Sequence, residues 1–157
     1  MVRETASDAQ EKKVLDDIDT FGWHCVNVLA EEDLPGYSFS VGNYRSANHP
    51  EFIIFGLRSD VAHQILTVTL AGLNGGAIVD LSAPTDELLN GHSCVFVKVP
   101  EAQYHEHVGF CRWYYEGNGF PLYQIVWPSR DGYFPWHGEA SEAFRAAQPV
   151  LGLPHGT

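Results

Sequence analysis

Positive charge is scarce in this 157-residue chain: nine lysines and arginines stand against twenty aspartates and glutamates, a net charge of −11. Phosphate backbones and anionic lipid both require a positive contact surface, so neither nucleic acid nor a membrane surface is expected as a partner. Long hydrophobic runs are also missing. Phe52 to Phe55 and Val95 to Val97 are short stretches, where a membrane-spanning helix needs about 20 apolar residues. The opening "MVRETASDAQEKK" has no apolar stretch of the kind a signal peptide carries, so a soluble, cytoplasmic protein is expected. Cysteine is sparse and unpaired. Cys25, Cys94 and Cys111 are odd in number and widely spaced, which suits reduced thiols rather than a disulfide framework. HExxH, HxxxH and CxxC are absent, so no metal site is expected. His105 and His107 sit about 200° apart if helical, too far round to share an ion. No GxSxG elbow and no strand-to-helix GxGxxG occurs, and no motif assigns a cofactor.

What the chain does contain is enough apolar material, 45% hydrophobic and 13% aromatic, for one cooperative core. Val14, Leu15, Ile18 and Phe21 lie on one helical stripe that Gly22 can stop. Trp23 to Leu29 reads as a strand, followed by the acidic turn "AEEDLPG". Tyr37 to Gly42 alternates strictly, with Tyr37, Phe39 and Val41 on one face and Ser38, Ser40 and Gly42 on the other. "NYRSANHP" reads as a loop, and "EFIIFGL" as a central strand covered on both faces. Ser59 or Asp60 can cap a helix carrying Val61, Ala62, Ile65, Leu66 and Leu70 and ending near Gly75. "AIVDL" reads as a short extended piece, "SAPTDELLNG" as a loop with one helical turn, "SCVFVKVP" as a strand and Glu101 to Glu116 as one helix. "PLYQIVWP" is the last strand, Asp131-Gly132 a turn, and Glu139 to Ala147 a short helix.

Strands come first in succession and then alternate with helices. This order predicts an α+β domain with a largely antiparallel sheet of about five strands and two or three packing helices, laid on one face. Residues 1–22 form a polar segment and helix, 23–147 the α+β domain and 148–157 a tail.

Small side chains at Ser38 and Ser40 leave room over one face of the sheet. Gln124 is expected to present its amide on that same side, edged by Tyr37 and Trp127. These five residues define a candidate recess for a small molecule or a protein partner. A second reading is an acid–base enzyme of hydrolytic type, with His49 as base and Glu51 or Asp131 orienting it. A third uses the acidic N-terminal surface, nine acids against three bases through Asp33, as the docking face of an interaction or immunity-type protein. Cys25 beside His24 points to the opposite strand face and reads as a structural thiol.

Three segments in order, "YSFSVGNY", "HPEFIIFGL" and "LYQIVWPSRDGYFPW", resemble the DUF4262 family of small bacterial proteins, a domain of unknown function. The resemblance runs from about Trp23 to Trp136. It implies a bacterial, cytoplasmic setting and no established reaction. Among the residues it covers, Gly42, Gly56 and Gly132 suit backbone constraint, Pro50 and Pro135 suit turns, and Trp127 suits packing. Tyr37, His49, Glu51, Gln124 and Asp131 are the polar residues left needing partners.

Overall fold

The computed structural model describes residues 2–78, 80–89 and 91–154. Its strands are β1 (His24–Val28), β2 (Tyr37–Val41), β3 (Glu51–Phe55), β4 (Thr85–Leu89), β5 (His92–Lys98) and β6 (Leu122–Val126). Its helices are α1 (Ala9–Phe21), α2 (Asn43–Ala47), α3 (Ser59–Gly75), α4 (Tyr104–His107), α5 (Gly109–Tyr115) and α6 (Glu142–Ala147). Phe52-Ile53-Ile54-Phe55 offers no polar side to water, and β3 is accordingly buried along its whole length. It occupies an inner position in one six-stranded sheet of order β1-β2-β3-β6-β5-β4. Every neighbouring pair is antiparallel except β3 and β6. The chain is thus an α+β domain with a mostly antiparallel open sheet.

Alternation along the strands divides the core into two layers. Phe39, Val41, Ile53, Phe55 and Leu122 pack with Val14 of α1, Tyr104 of α4, Cys111 and Tyr114 of α5, and Val108 between those two helices. Phe52, Ile54, Phe96 and Ile125 pack with Ala62, Ile65, Leu66 and Leu70 of α3 on the reverse side. Helices therefore cover both faces, where the element order had suggested one. The cause is β3 itself: apolar at consecutive positions, it exposes greasy surface on both sides, and each must be buried at about 25 cal/mol per Å².

Local signals explain several boundaries. Asp8 caps α1 by accepting from the Glu11 amide at 2.8 Å, and Gly22 (φ 88°) ends it in the left-handed conformation. For α3 the expected side-chain cap is not used: the capping position is Arg58, which makes no capping hydrogen bond. Thr85–Leu89, read from sequence as a loop with one helical turn, is the sixth strand, recruited as an edge by pairing with β5. Its polar alternation carries little burial signal, so the pairing decides its state. The span 101–116 is not one helix. A 3₁₀ turn (Glu101–Gln103) leads into α4, and Val108 (φ −124°, ψ 54°) breaks it from α5. Asn43–Ala47, expected as loop, forms α2. The short extended piece expected at 77–81 falls partly on Val79, outside the described residues.

Candidate functional site

Because β3 and β6 run parallel and β2 runs against them, the sheet has two chemically distinct ends. One holds the start of β3, the end of β2 and α2. The other holds the start of β2, the ends of β1, β3 and β6, and the β1–β2 loop.

At the first end, Glu51 is fully buried. Its carboxylate accepts from the Ser40 hydroxyl at 2.7 Å and from the backbone amides of Gly42 (3.0 Å), Asn43 (3.3 Å) and Tyr44 (3.1 Å). The Tyr115 hydroxyl donates to it as well, and itself accepts from the Arg45 amide at 3.2 Å. Those amides are the unpaired first-turn donors of α2, so one carboxylate from the neighbouring strand does the work of a cap. The arrangement needs Gly42 at φ 103°, where a Cβ would lie 2.6 Å from Ile18 Cγ1. Burial raises the Glu51 carboxyl from its ordinary range, while hydrogen bonds from Tyr115, Ser40, Tyr44 and Gly42 pull it down. With its oxygens saturated by donors and none of its surface exposed, Glu51 joins β2, α2, β3 and α5 and is closed to a substrate.

The opposite end is open. Tyr37 stacks against Phe39 and Phe55, with ring centroids 6.2 and 4.9 Å apart, and His107 from α4 stands edge-on to both Tyr37 (5.7 Å) and Phe55 (5.6 Å). The Tyr37 hydroxyl has no hydrogen-bond partner among the described residues. Burial raises the Tyr37 phenol and lowers the His107 imidazole from 6.5, Glu106 working against the latter shift. Two adjoining cavities meet at Tyr37, one of about 560 Å³ bounded by Phe55, His107, Pro149 and Leu151, the other of about 730 Å³ bounded by Ser38, Gly56 and Arg58. The β1–β2 loop forms a wall of both. It is pinched by a Glu31–Leu34 bridge and holds Leu29 and Leu34 at 81% and 61% exposure. The other wall is α6 and the segment after it. Gly56 (φ 82°) lets them approach, since a Cβ there would sit 2.6 Å from the Ala147 carbonyl oxygen.

Two glutamines fasten that wall by imitating peptide groups. The Gln148 side chain accepts from the Trp127 amide and donates to the Trp127 carbonyl, both at 2.9 Å. Gln124 donates to the Pro149 carbonyl at 2.7 Å and accepts from the Leu151 amide at 2.9 Å. Each amide thereby donates one hydrogen bond to, and accepts one from, the chain that crosses it.

The sequence candidates are thus dispersed. Ser38 and Ser40 lie on the α3 side of β2, both buried, with the Ser38 hydroxyl on Asn27 Oδ1 at 2.7 Å and the Ser40 hydroxyl on Glu51. Register pairs Phe39 with Ile53 and Ile53 with Gln124, which puts Gln124 on the opposite face from the serines. The expected shared side does not form, and α3 fills the space the serines leave. Trp127 donates its indole N–H to the Phe55 carbonyl at 2.8 Å, supporting the open end from beneath. His49 precedes β3 at the Glu51 end, whereas Asp131 is exposed beyond β6 at the other. No hydrogen bond joins His49 to Glu51 or to Asp131 among the described residues. Of the eight candidates, Tyr37 and Ser38 line a cavity.

Reasoning from sequence missed His107, which was weighed only as a metal ligand, and missed Tyr115 and Gln148. Their partners lie 64 and 21 residues away, and no local spacing announces them. Among the described residues no group of three or more His, Cys, Asp or Glu is placed to hold a metal ion. The Cys25 and Cys94 thiols are pushed up by burial, to about 11 and about 12, and Cys111 is likewise raised while donating to the Ser40 carbonyl at 3.1 Å. Thiols so shifted are poor nucleophiles.

The family model for a domain of unknown function, DUF4262, matches residues 17–141, most of the chain. The protein belongs to the DUF4262 family. No curated protein and no solved structure matches it. In this DUF4262 protein the match takes in the whole sheet and both sealed and open ends, but it stops before α6. Arg145, Ala146, Pro149 and Leu151, which complete one wall of the smaller cavity, therefore lie beyond the family match. No helix among the described residues is long and apolar enough to cross a membrane.

Proposed function

We propose that this DUF4262 protein is a binding module whose recess is the open end of the sheet, centred on Tyr37, rather than the serine-bearing face. The observation that carries this reading is the Tyr37 hydroxyl, solvent-accessible and without a partner among the described residues, in the wall of cavities of about 560 and 730 Å³. Volumes of this order suit small molecules, and an aromatic floor with a free hydroxyl offers both contact area and an orienting hydrogen bond. Leu29 and Leu34 add apolar surface that an occupant would cover. The acid–base reading lacks equivalent support: Glu51 is sealed, and His49 and Asp131 stand at opposite ends of the parallel pair. A bacterial, cytoplasmic setting is the companion proposal, supported by the family resemblance and by three separate thiols.

A test is a small-molecule screen by amide NMR on the full chain. Shifts gathered on 28–37, 55–59 and 145–151, and weakened in Tyr37→Ala, are the expected result. Ligands that gather elsewhere, or that ignore Tyr37→Ala, would overturn the assignment.

A further inference from the structure

We infer that the smaller cavity takes a small organic cation, an ammonium group carried on an aromatic or aliphatic body. The inference rests on the recess reading and adds the chemical class of the occupant. The cavity's floor is apolar, with Phe55 and the ring of Tyr37 below and His107 at the side. Its rim bears three carboxylates from two elements, Glu31 and Asp33 on the β1–β2 loop and Glu106 on α4. None of the three is in an ion pair or accepts a side-chain hydrogen bond among the described residues.

Among the described residues lining the cavity, Arg145 is the one permanent cation; it forms no ion pair with the three carboxylates and offsets one of their three charges, so the lining stays net negative. Its guanidinium is spent on backbone carbonyls, with Nε on Pro135 at 3.0 Å and Nη2 on His137 at 2.7 Å and Gly138 at 3.4 Å. The charge left over is negative and sits at the mouth, while the depth is apolar and aromatic. That is the complement of an amine with a hydrophobic body: the carboxylates and the electron-rich ring faces favour the cation, and the floor takes the rest. An anionic ligand would meet a lining of net negative charge, and a neutral one would leave that charge unused.

The test is an amide NMR titration of the full chain with 2-phenylethylamine, 2-phenylethanol and phenylacetate, which share a ring and differ in charge. The amine is expected to shift residues 28–37, 55 and 106–107 and to bind at least ~10-fold tighter than the alcohol, with no binding by the acid, a margin of about 1.4 kcal/mol. Glu31→Gln/Asp33→Asn should weaken the amine by roughly 5–10-fold, the modest effect expected on losing two solvent-exposed charge pairs. Glu4→Gln/Asp19→Asn, which changes net charge by the same amount on exposed sites away from the cavity, should leave it unaltered. If the alcohol or the acid binds at these residues as tightly as the amine, the cation assignment fails and the recess stands. If the two double variants weaken the amine equally, attraction to net charge explains the binding and the inference fails. If none of the three shifts these residues at ~10 mM, weaker than any ordinary recess ligand, both readings fall together.

Discussion

The two ends of the sheet use similar chemistry to opposite effect. At the Glu51 end a carboxylate, a phenol and a serine hydroxyl meet in one closed network in which every donor has an acceptor. At the Tyr37 end a phenol and three carboxylates have no side-chain partner among the described residues and stand beside open volume. Burial without partners is expensive, so the closed end must be read as structure. Polar groups left free at a concave surface cost little in the empty protein, because water serves them, and become available to an occupant. Residue type alone does not separate the two roles; the presence of a saturating partner does.

That contrast can be broken most forcefully at Glu51. Glu51→Ala orphans three backbone amides and two hydroxyls, and should destabilise the protein by about 3–5 kcal/mol in chemical denaturation; a loss below ~1 kcal/mol would show that the network is not what holds α2. Gly56→Ala comes next. At φ 82° with the Ala147 carbonyl 2.6 Å from the new Cβ, it should cost about 2–3 kcal/mol and push the α6 wall outward, visible as changed amide shifts across 145–151. Tyr115→Phe removes one of the five donors and should cost about 1–2 kcal/mol, well short of Glu51→Ala.

The open end should respond in function and hardly in stability. Tyr37→Phe keeps the stacked ring and removes only the free hydroxyl, so the expected change is within about 0.5 kcal/mol; a clearly larger loss would mean that the hydroxyl is structural after all. A pH titration sharpens the comparison further. Burial holds the His107 imidazole below 6.5, so the unfolded chain binds this proton more readily than the folded one. The associated stability is complete above about pH 6.5 and declines as pH falls through the lowered folded value. Tyr37 and Phe55 pack against this ring, Glu106 precedes it, and Glu31, Asp33 and Arg145 line the same cavity. Protonation there adds a positive charge where an amine would sit, so amine affinity should drop by a few fold as pH falls from 6.5 through the lowered folded value, whereas His107→Gln should flatten that dependence. An unchanged profile in the variant would place the titrating group elsewhere.

Much of the fold was legible because its signals are local. The α1 stripe with its Gly22 stop, the alternation of Tyr37 to Val41 and the uninterrupted Phe52–Phe55 run each specify their element within a few residues. Thr85–Leu89 was not legible, since a polar edge strand is defined by the strand it joins. Val108 was equally silent: a helical apolar period continues through it although the backbone breaks. For the candidate recess, the sequence put Tyr37 at the edge, and the structure places it in a cavity wall, but the expectation that Ser38, Ser40 and Gln124 share a face depended on how β2 and β6 register across β3. One residue of offset reverses every side chain.

What the sequence by itself determined is the set of short-range outcomes: an acidic, one-domain α+β chain with a doubly covered central strand, separate thiols, and membership of a recognisable family. Only the tertiary structure decided which polar residues meet. Glu51 finds Tyr115, Gln124 finds Pro149 and Leu151, and Tyr37 finds His107 but no partner for its hydroxyl, because strand order, register and the path of the C-terminal segment set those encounters across tens of residues, beyond the reach of any pattern of spacing along the chain.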